Sequence, residues 1–139
     1  MSRYRANLER FYAAIDTSEF AAAVEFLGED VDWIWGGVPQ TGRAAVQKFL
    51  AGGQQSLADR KHRIVAYVEG HGGVAAELAV TAVHSGPLSL PTGPVPPTGK
   101  SLNISACHIL HVDSDGRFDV SHIYVDFVGL LGQISEPAT

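Results

Sequence analysis

From about His62 onward, apolar residues recur at every second position, and this change of period constrains the fold more than any other feature of the chain. Four runs carry it, at about His62–Glu69, Val74–His84, Leu102–Val112 and Phe118–Phe127. A period of two marks strands with one buried face. Gly70-His71-Gly72-Gly73 and Asp113-Ser114-Asp115-Gly116 have the composition of hairpin turns, so neighbouring runs can pair as a meander. Between the second and third runs lies Ser85–Gly99, an irregular segment with five prolines. Proline lacks an amide donor and keeps such a segment out of the sheet. Loops this long inside a compact domain commonly serve as lids or binding loops.

The first sixty residues follow a helical period instead. Tyr4, Leu8, Phe11, Tyr12 and Ile15 share one face of a first helix. Asp16, Thr17 or Ser18 can cap a second, which buries Phe20, Ala23, Val24 and Leu27 and is expected to end at Gly28. Asp30–Trp35 is short, aromatic and β-branched and predicts a strand, broken by Gly36, Gly37 and Pro39. Thr41 can cap a third helix carrying Val46, Phe49 and Leu50, expected to stop at Gly52-Gly53. The order α-α-β-α-β-β-β-β predicts an α+β fold, a curved antiparallel sheet wrapped around N-terminal helices. At 139 residues it forms one domain, residues 1–139. A twisted sheet closed by helices leaves a hollow on its concave face.

Composition narrows the function classes. Ten basic residues stand against fifteen acidic ones, for a formal charge of −5. The cations are scattered, and nucleic-acid binding needs them clustered, so that class is set aside. No apolar run approaches the roughly 20 residues that cross a bilayer, and the charged N-terminus reads as a helix and not a signal peptide. A cytoplasmic protein with no membrane partner is expected. The single cysteine, Cys107, is expected to be a small buried apolar side chain. No metal-ligand spacing is present, and no cofactor motif.

Alternation gives the candidates for chemistry. Ile104, Ala106, His108, Leu110 and Val112 share a face of the third run; Phe118, Val120, His122, Tyr124 and Asp126 share a face of the fourth. A hairpin that pairs Val112 with Phe118 sets His108 opposite His122 and Ala106 opposite Tyr124, with Asp126 opposite Ile104. A carboxylate among apolar neighbours has its charged form disfavoured and becomes a usable acid or base, and histidine exchanges protons near neutral pH. Each residue also has a plainer role: the histidines bonding each other or a carbonyl, Tyr124 as core, Asp126 capping the tail. His84 ends the second strand's face where the proline-rich loop begins. His111 faces away from His108, and His62 and His71 read as surface residues. Trp33 and Trp35 face one side, either filling the core or lining a pocket. Which sheet face is internal stays open, because both carry apolar residues.

Several pieces together resemble the SnoaL-like polyketide cyclase family: Val31-Asp32-Trp33, then Gly42-Arg43-Ala44-Ala45-Val46 before Phe49; Val83-His84-Ser85-Gly86; Pro97-Thr98-Gly99-Lys100; His108 before Asp115-Gly116; and Tyr124-Val125-Asp126 with Leu130-Leu131-Gly132-Gln133. That family belongs to the nuclear transport factor 2-like superfamily. The resemblance implies a cone-shaped α+β barrel, often dimeric, whose pocket is closed by the N-terminal helices, where Tyr12 lies. It also implies an aspartate acting as general acid/base in an intramolecular aldol closure, helped by a histidine, roles that fall on Asp126 and His108. Ketosteroid isomerases of the same superfamily place a base aspartate where this chain has Ile34. Limonene-epoxide hydrolases need a Tyr and Asn near Trp33 and Trp35, and an Arg–Asp pair on a middle strand that has no Arg here.

The expectation is therefore a cofactor-free cyclase, isomerase or lyase acting on a hydrophobic polyketide-like or cyclic carbonyl compound, in a homodimer. Asp126, His108 and His122 are the catalytic candidates; Tyr124, Trp33, Trp35, His84 and Tyr12 are the substrate-binding ones. Two alternatives stand beside it, a non-catalytic small-molecule-binding or assembly domain and an enzyme like limonene-epoxide hydrolase.

Overall fold

In the computed structural model, residues 2–90 and 92–135 are described. Helix α1 (Arg3–Asp16) starts where the Ser2 hydroxyl accepts the Arg5 amide at 3.1 Å, and buries Leu8, Phe11, Tyr12 and Ile15 as its period requires. A single turn, α2 (Phe20–Ala23), and a 3-10 turn (Val24–Phe26) follow. Strand β1 (Leu27–Trp35) and β2 (Val38–Thr41) form a hairpin through Gly36 and Gly37, both at positive φ. Helix α3 (Arg43–Ser56) leads into β3 (Leu57–Gly70) and β4 (Gly73–His84). A small ribbon, β5 (Leu88–Leu90) and β6 (Gly93–Val95), precedes β7 (Ser101–Val112), β8 (Phe118–Val125) and α4 (Phe127–Ser135).

Six of the strands form one sheet in the order β2-β1-β8-β7-β4-β3. The expected meander is present as β3-β4-β7-β8, all antiparallel, and β1 joins β8 in parallel, which makes the sheet mixed. Its concave face holds Leu102, Ile104, Leu110, Leu78 and Val74 against Leu8, Phe11 and Ile15 of α1 and Val46 and Leu50 of α3. Burying side chains of this size is worth roughly 1.5–3 kcal/mol each, which is what holds the helices in the cone. Among the described residues no helix is long and apolar enough to cross a membrane.

Several local expectations change. The second helix is one turn long, because Leu27 and Gly28 are drawn into β1; Gly28 lies against the backbone of Asp119, where an added Cβ would sit 3.3 Å from its Cα. Neither Asp16 nor Thr41 caps a helix: Asp16 bonds His62, and α3 opens at Gly42 with no side-chain cap. Helix α3 runs through Gly52-Gly53 to Ser56, since the following strand starts at Leu57 and leaves no room for a loop. The last strand ends at Val125, and residues 127–135, expected as strand end and loose tail, are helical; the tail beyond 135 lies outside the described residues. Cys107 is exposed, because it sits on the odd, outward face of β7.

The proline-rich segment is tied down at both ends. Gly86 passes so close to the end of α3 that a Cβ would overlap the Gln55 carbonyl at 2.3 Å. The Ser56 hydroxyl donates to the Pro87 carbonyl at 2.6 Å. At the far end, the His84 and Gly99 amides donate to the Lys100 and His84 carbonyls, both at 2.9 Å.

Candidate functional site

The concave face of the sheet, α1, α3 and the start of the proline-rich segment enclose a cavity of about 780 Å³. Phe11, Tyr12, Trp33, Trp35 and Phe49 form its aromatic wall, and Ile104, Ala106, Ile123 and Val125 its sheet wall. Trp33 meets two rings edge to face, Phe49 at 6.3 Å and Phe11 at 6.4 Å, and Trp35 lies tilted against Phe49 at 6.1 Å. Pro87, Leu88 and Ser89 close one side. Trp33 Nε1 is buried with no acceptor among the described residues, a cost of about 1–3 kcal/mol on a residue that faces the cavity.

One bulge decides which polar residues reach this wall. Val112 pairs with Phe118 as alternation predicts, but Asp119 is then an unpaired extra residue, and His111 pairs with Val120. A one-residue slip moves a strand's whole side-chain set to the other face. Beyond the bulge, His108 therefore lies opposite Ile123, Cys107 opposite Tyr124 and Ala106 opposite Val125. Ser121, Ile123 and Val125 turn inward; His122, Tyr124 and Asp126 turn away from the cavity.

Two of the three displaced candidates are bonded elsewhere and the third is exposed. His122 Nε2 lies 3.1 Å from Asp32 Oδ2 on the outer face. Tyr124 is 59% exposed there. Asp126 caps α4: its Oδ1 accepts the Gly129 amide at 2.9 Å and its carbonyl accepts the Leu130 amide at 3.1 Å. His84 is fully buried but does not line the cavity; its Nδ1 accepts the Thr98 amide at 3.3 Å with Thr98 Oγ1 at 3.0 Å, which pins the neck of the proline-rich segment. The constellation of His108, His122, Tyr124 and Asp126 expected from strict alternation is not assembled. Tyr12, Trp33 and Trp35 do line the cavity, and His108 stays on the inner face.

A different polar chain is assembled instead. Tyr12 Oη and His108 Nδ1 are 2.5 Å apart, and His108 Nε2 lies 2.7 Å from Ser121 Oγ, all in the buried interior. The Tyr12 ring stacks on His62, with centroids 4.9 Å apart and planes 1° from parallel. His62, which reads as a surface residue in sequence, lines the cavity. It donates its backbone amide to Asp16 Oδ2 at 2.8 Å, and its Nδ1 lies 2.6 Å from Asp16 Oδ1. An ionised carboxylate can only accept, so Nδ1 is the ring nitrogen that donates to Asp16, and Nε2 is not engaged by it. Asp16 reaches His62 because α1 ends against β3, and His62 shares the inward side of β3 with Leu57 because the register shifts between Ala58 and Lys61.

Burial sets the protonation of this chain. Desolvation, with smaller contributions from His62 and His122, pushes the His108 imidazole down to about 3, so it is neutral at physiological pH. Desolvation, with a smaller contribution from Cys107, raises the Tyr12 phenol well above its ordinary value, so it keeps its proton. Neutral His108 holds one ring proton, and the chain can run in two directions. Tyr12 donates to Nδ1 while Nε2–H donates to Ser121, or Ser121 donates to Nε2 while Nδ1–H donates to Tyr12 and frees the phenol proton for the cavity. Among the described residues, no group of three or more His, Cys, Asp or Glu side chains could hold a metal ion.

Residues 8–120 match the family model of the SnoaL-like domain. No functionally curated protein matches the sequence. Solved structures share the fold. A protein assigned as a SnoaL-like polyketide cyclase from Jannaschia Sp. CCS1 superposes with TM-score 0.81 at 14% identity, over 99% of this chain and 98% of that one. The epoxide hydrolase/cyclase-like enzyme SalBIII of salinomycin pyran ring formation gives TM-score 0.74 at 14% identity, over 91% and 93%. A protein of ketosteroid isomerase-like fold from Catenulispora acidiphila DSM 44928 gives 0.77 at 14% identity, over 94% and 93%. At these identities the likeness is one of fold, the nuclear transport factor 2-like α+β cone.

Proposed function

Because the chain belongs to the SnoaL-like domain family, we propose that it is an acid–base enzyme of the cyclase, isomerase or lyase kind, acting on a hydrophobic polyketide-like or cyclic carbonyl compound. The observation that carries the reading is the His62–Asp16 pair on the wall of an apolar cavity, beside the buried Tyr12–His108–Ser121 chain. Asp16 holds the His62 imidazole with Nδ1 protonated, so Nε2 is the base that takes a proton α to the carbonyl and Asp16 stabilises the imidazolium that results. The Tyr12 phenol, backed by His108, donates to the oxygen on which charge develops. The proton held on His62 returns to the carbon, to a new alcohol or to a leaving hydroxyl, according to whether the product is an isomer, a ring or a dehydrated compound. Trp33, Trp35 and Phe49 hold the apolar body. A reading as an epoxide hydrolase would need Asp126 to hold a water, and Asp126 caps α4.

The outer sheet face supports a homodimer. Ile109, Tyr124, Val65 and Val68 are 41%, 59%, 49% and 68% exposed on it, more apolar surface than an isolated strand face usually leaves in water.

The test of the acid–base reading is exchange of the α-hydrogens of 2-tetralone for deuterium, followed by proton NMR in D₂O. Wild type is expected to accelerate exchange over buffer, and His62→Gln and Asp16→Asn to lose most of it, on the order of 10²-fold for a general base. Binding of 2-tetralone without any acceleration would favour the non-catalytic binder.

A further inference from the structure

The cavity wall carries a charge opposite to that of the chain. Lys48 and Arg60 both line it, and among the described residues no aspartate or glutamate does, although acidic residues outnumber basic ones fifteen to ten. The ion pairs among the described residues are Arg5–Glu9, His62–Asp16, His111–Asp119 and His122–Asp32, so neither Lys48 nor Arg60 is neutralised by one. Asp16 acts on Arg60 through space, but both its oxygens are engaged by His62.

Arg60 is placed by three local departures from regular structure. Ala58 pairs with Val83 and Lys61 with Thr81, so Asp59 and Arg60 face the single residue Ala82, a bulge in β3. Asp59 takes a left-handed φ of 53° to make it. The bulge lets Leu57, Arg60 and His62 all reach the inner wall, which strict alternation forbids. Opposite them, α3 carries Gly52-Gly53 in its last turns, each costing about 1 kcal/mol relative to alanine in a helix. A Cβ at Gly53 would lie 3.2 Å from Arg60 Nη1, while one at Gly52 would meet nothing within 4 Å.

The guanidinium is only partly used by the protein. Nη2 donates to the Leu50 carbonyl at a long 3.4 Å, and the group lies 5.9 Å over the Phe20 ring. Of its five N–H donors, that is the one hydrogen bond formed among the described residues. Burial lowers its pKa, yet a guanidinium stays charged at any physiological pH.

We propose that Arg60, assisted by Lys48 at the rim, binds an anionic group on a ligand whose apolar body fills the cavity. The substrate class is then an aromatic or polycyclic acid, bearing a carboxylate or an acidic enol or phenol, and not a neutral ketone alone. This rests on the acid–base reading of the same cavity. The planar fork of Arg60 suits a two-oxygen acid, and the ligand's charge end would sit at the α3 and β3 side, with His62 next along the strand.

Two fluorescent probes with one aromatic body separate charge from shape: 8-anilinonaphthalene-1-sulfonate and its neutral parent, N-phenyl-1-naphthylamine. Each is titrated into wild type, Arg60→Gln, Arg60→Lys and Lys48→Gln. Arg60→Gln is expected to weaken the sulfonate about tenfold and leave the neutral probe within about twofold, because only the charge-assisted contact is lost. Arg60→Lys should recover part of the loss, and Lys48→Gln should cost about two- to threefold, an effect that disappears at high salt. The neutral probe guards against a variant that merely disturbs α3. No binding of the sulfonate to wild type, or an equal change for both probes in Arg60→Gln, overturns the proposal. If the probes fail while wild type still exchanges the 2-tetralone hydrogens, the anion site falls and the acid–base reading stands; selectivity for the sulfonate without exchange gives the reverse.

Discussion

Replacing His108 with glutamine removes a titration that the fold suppresses. His108 is fully buried on β7, with Tyr12 of α1 on one ring nitrogen, Ser121 of β8 on the other, and His62 of β3 and His122 of β8 acting on it through space. In the unfolded chain it takes a proton at about 6.5; in the folded protein it does not until about 3. Between those values the unfolded state binds the extra proton, so stability is fully present above pH 6.5 and is lost as pH falls toward 3. One pH unit in that window is worth about 1.4 kcal/mol, so going from pH 7 to pH 5 costs roughly 2 kcal/mol through this residue alone. Urea unfolding followed by the fluorescence of Trp33, which is fully buried, measures it at each pH. Other groups titrate too, so the quantity to read is the difference between wild type and His108→Gln. Wild type should lose about 2 kcal/mol more than the variant between pH 7 and pH 5. Parallel curves for the two proteins would mean that His108 is not held neutral, and the account of the buried chain would be wrong.

Further outcomes are expected. Asp126→Ala should cost about 1 kcal/mol by thermal or urea unfolding, through loss of the α4 cap, and leave α-hydrogen exchange unchanged. Phe118→Ala should destabilise by about 4 kcal/mol and Phe11→Ala by less, toward 3 kcal/mol, because one side of Phe11 already faces open cavity. Gly53→Ala should raise the melting temperature through helix propensity while lowering affinity for the anionic probe, since the new methyl meets Arg60. Tyr124→Glu should turn the proposed dimer into a monomer by light scattering; a wild type already monomeric would remove that proposal.

The long strands, their hairpin turns and the α1 face were legible because each rests on a period read over eight or more residues. The sets of residues that share a face of β4 and of β7 follow directly from it, and so does the shared side of Trp33 and Trp35; which side is the inner one did not. What could not be read were events one residue wide. Asp119 adds a residue to β8 and sends His122, Tyr124 and Asp126 outward, although the Val112–Phe118 pairing that anchors the register is as expected. Asp59 does the same in β3 and brings in Arg60. Each bulge trades one ladder bond for a changed facing, and no composition rule marks an aspartate in a strand as the residue that will do it. A faint signal existed at Gly28, a glycine within the first strand that makes room for the Asp119 bulge. His62 was missed because its partner Asp16 is 46 residues away, a distance only the tertiary packing of α1 against β3 closes.

In the proposed reaction the acting group is the His62–Asp16 pair inside the cone and not Asp126 outside it. Side-by-side rates of 2-tetralone α-hydrogen exchange for wild type, His62→Gln and Asp126→Asn test it most directly. A loss on the order of 10²-fold is expected for His62→Gln and a wild-type rate for Asp126→Asn. A wild-type rate in His62→Gln with a large loss in Asp126→Asn would contradict it.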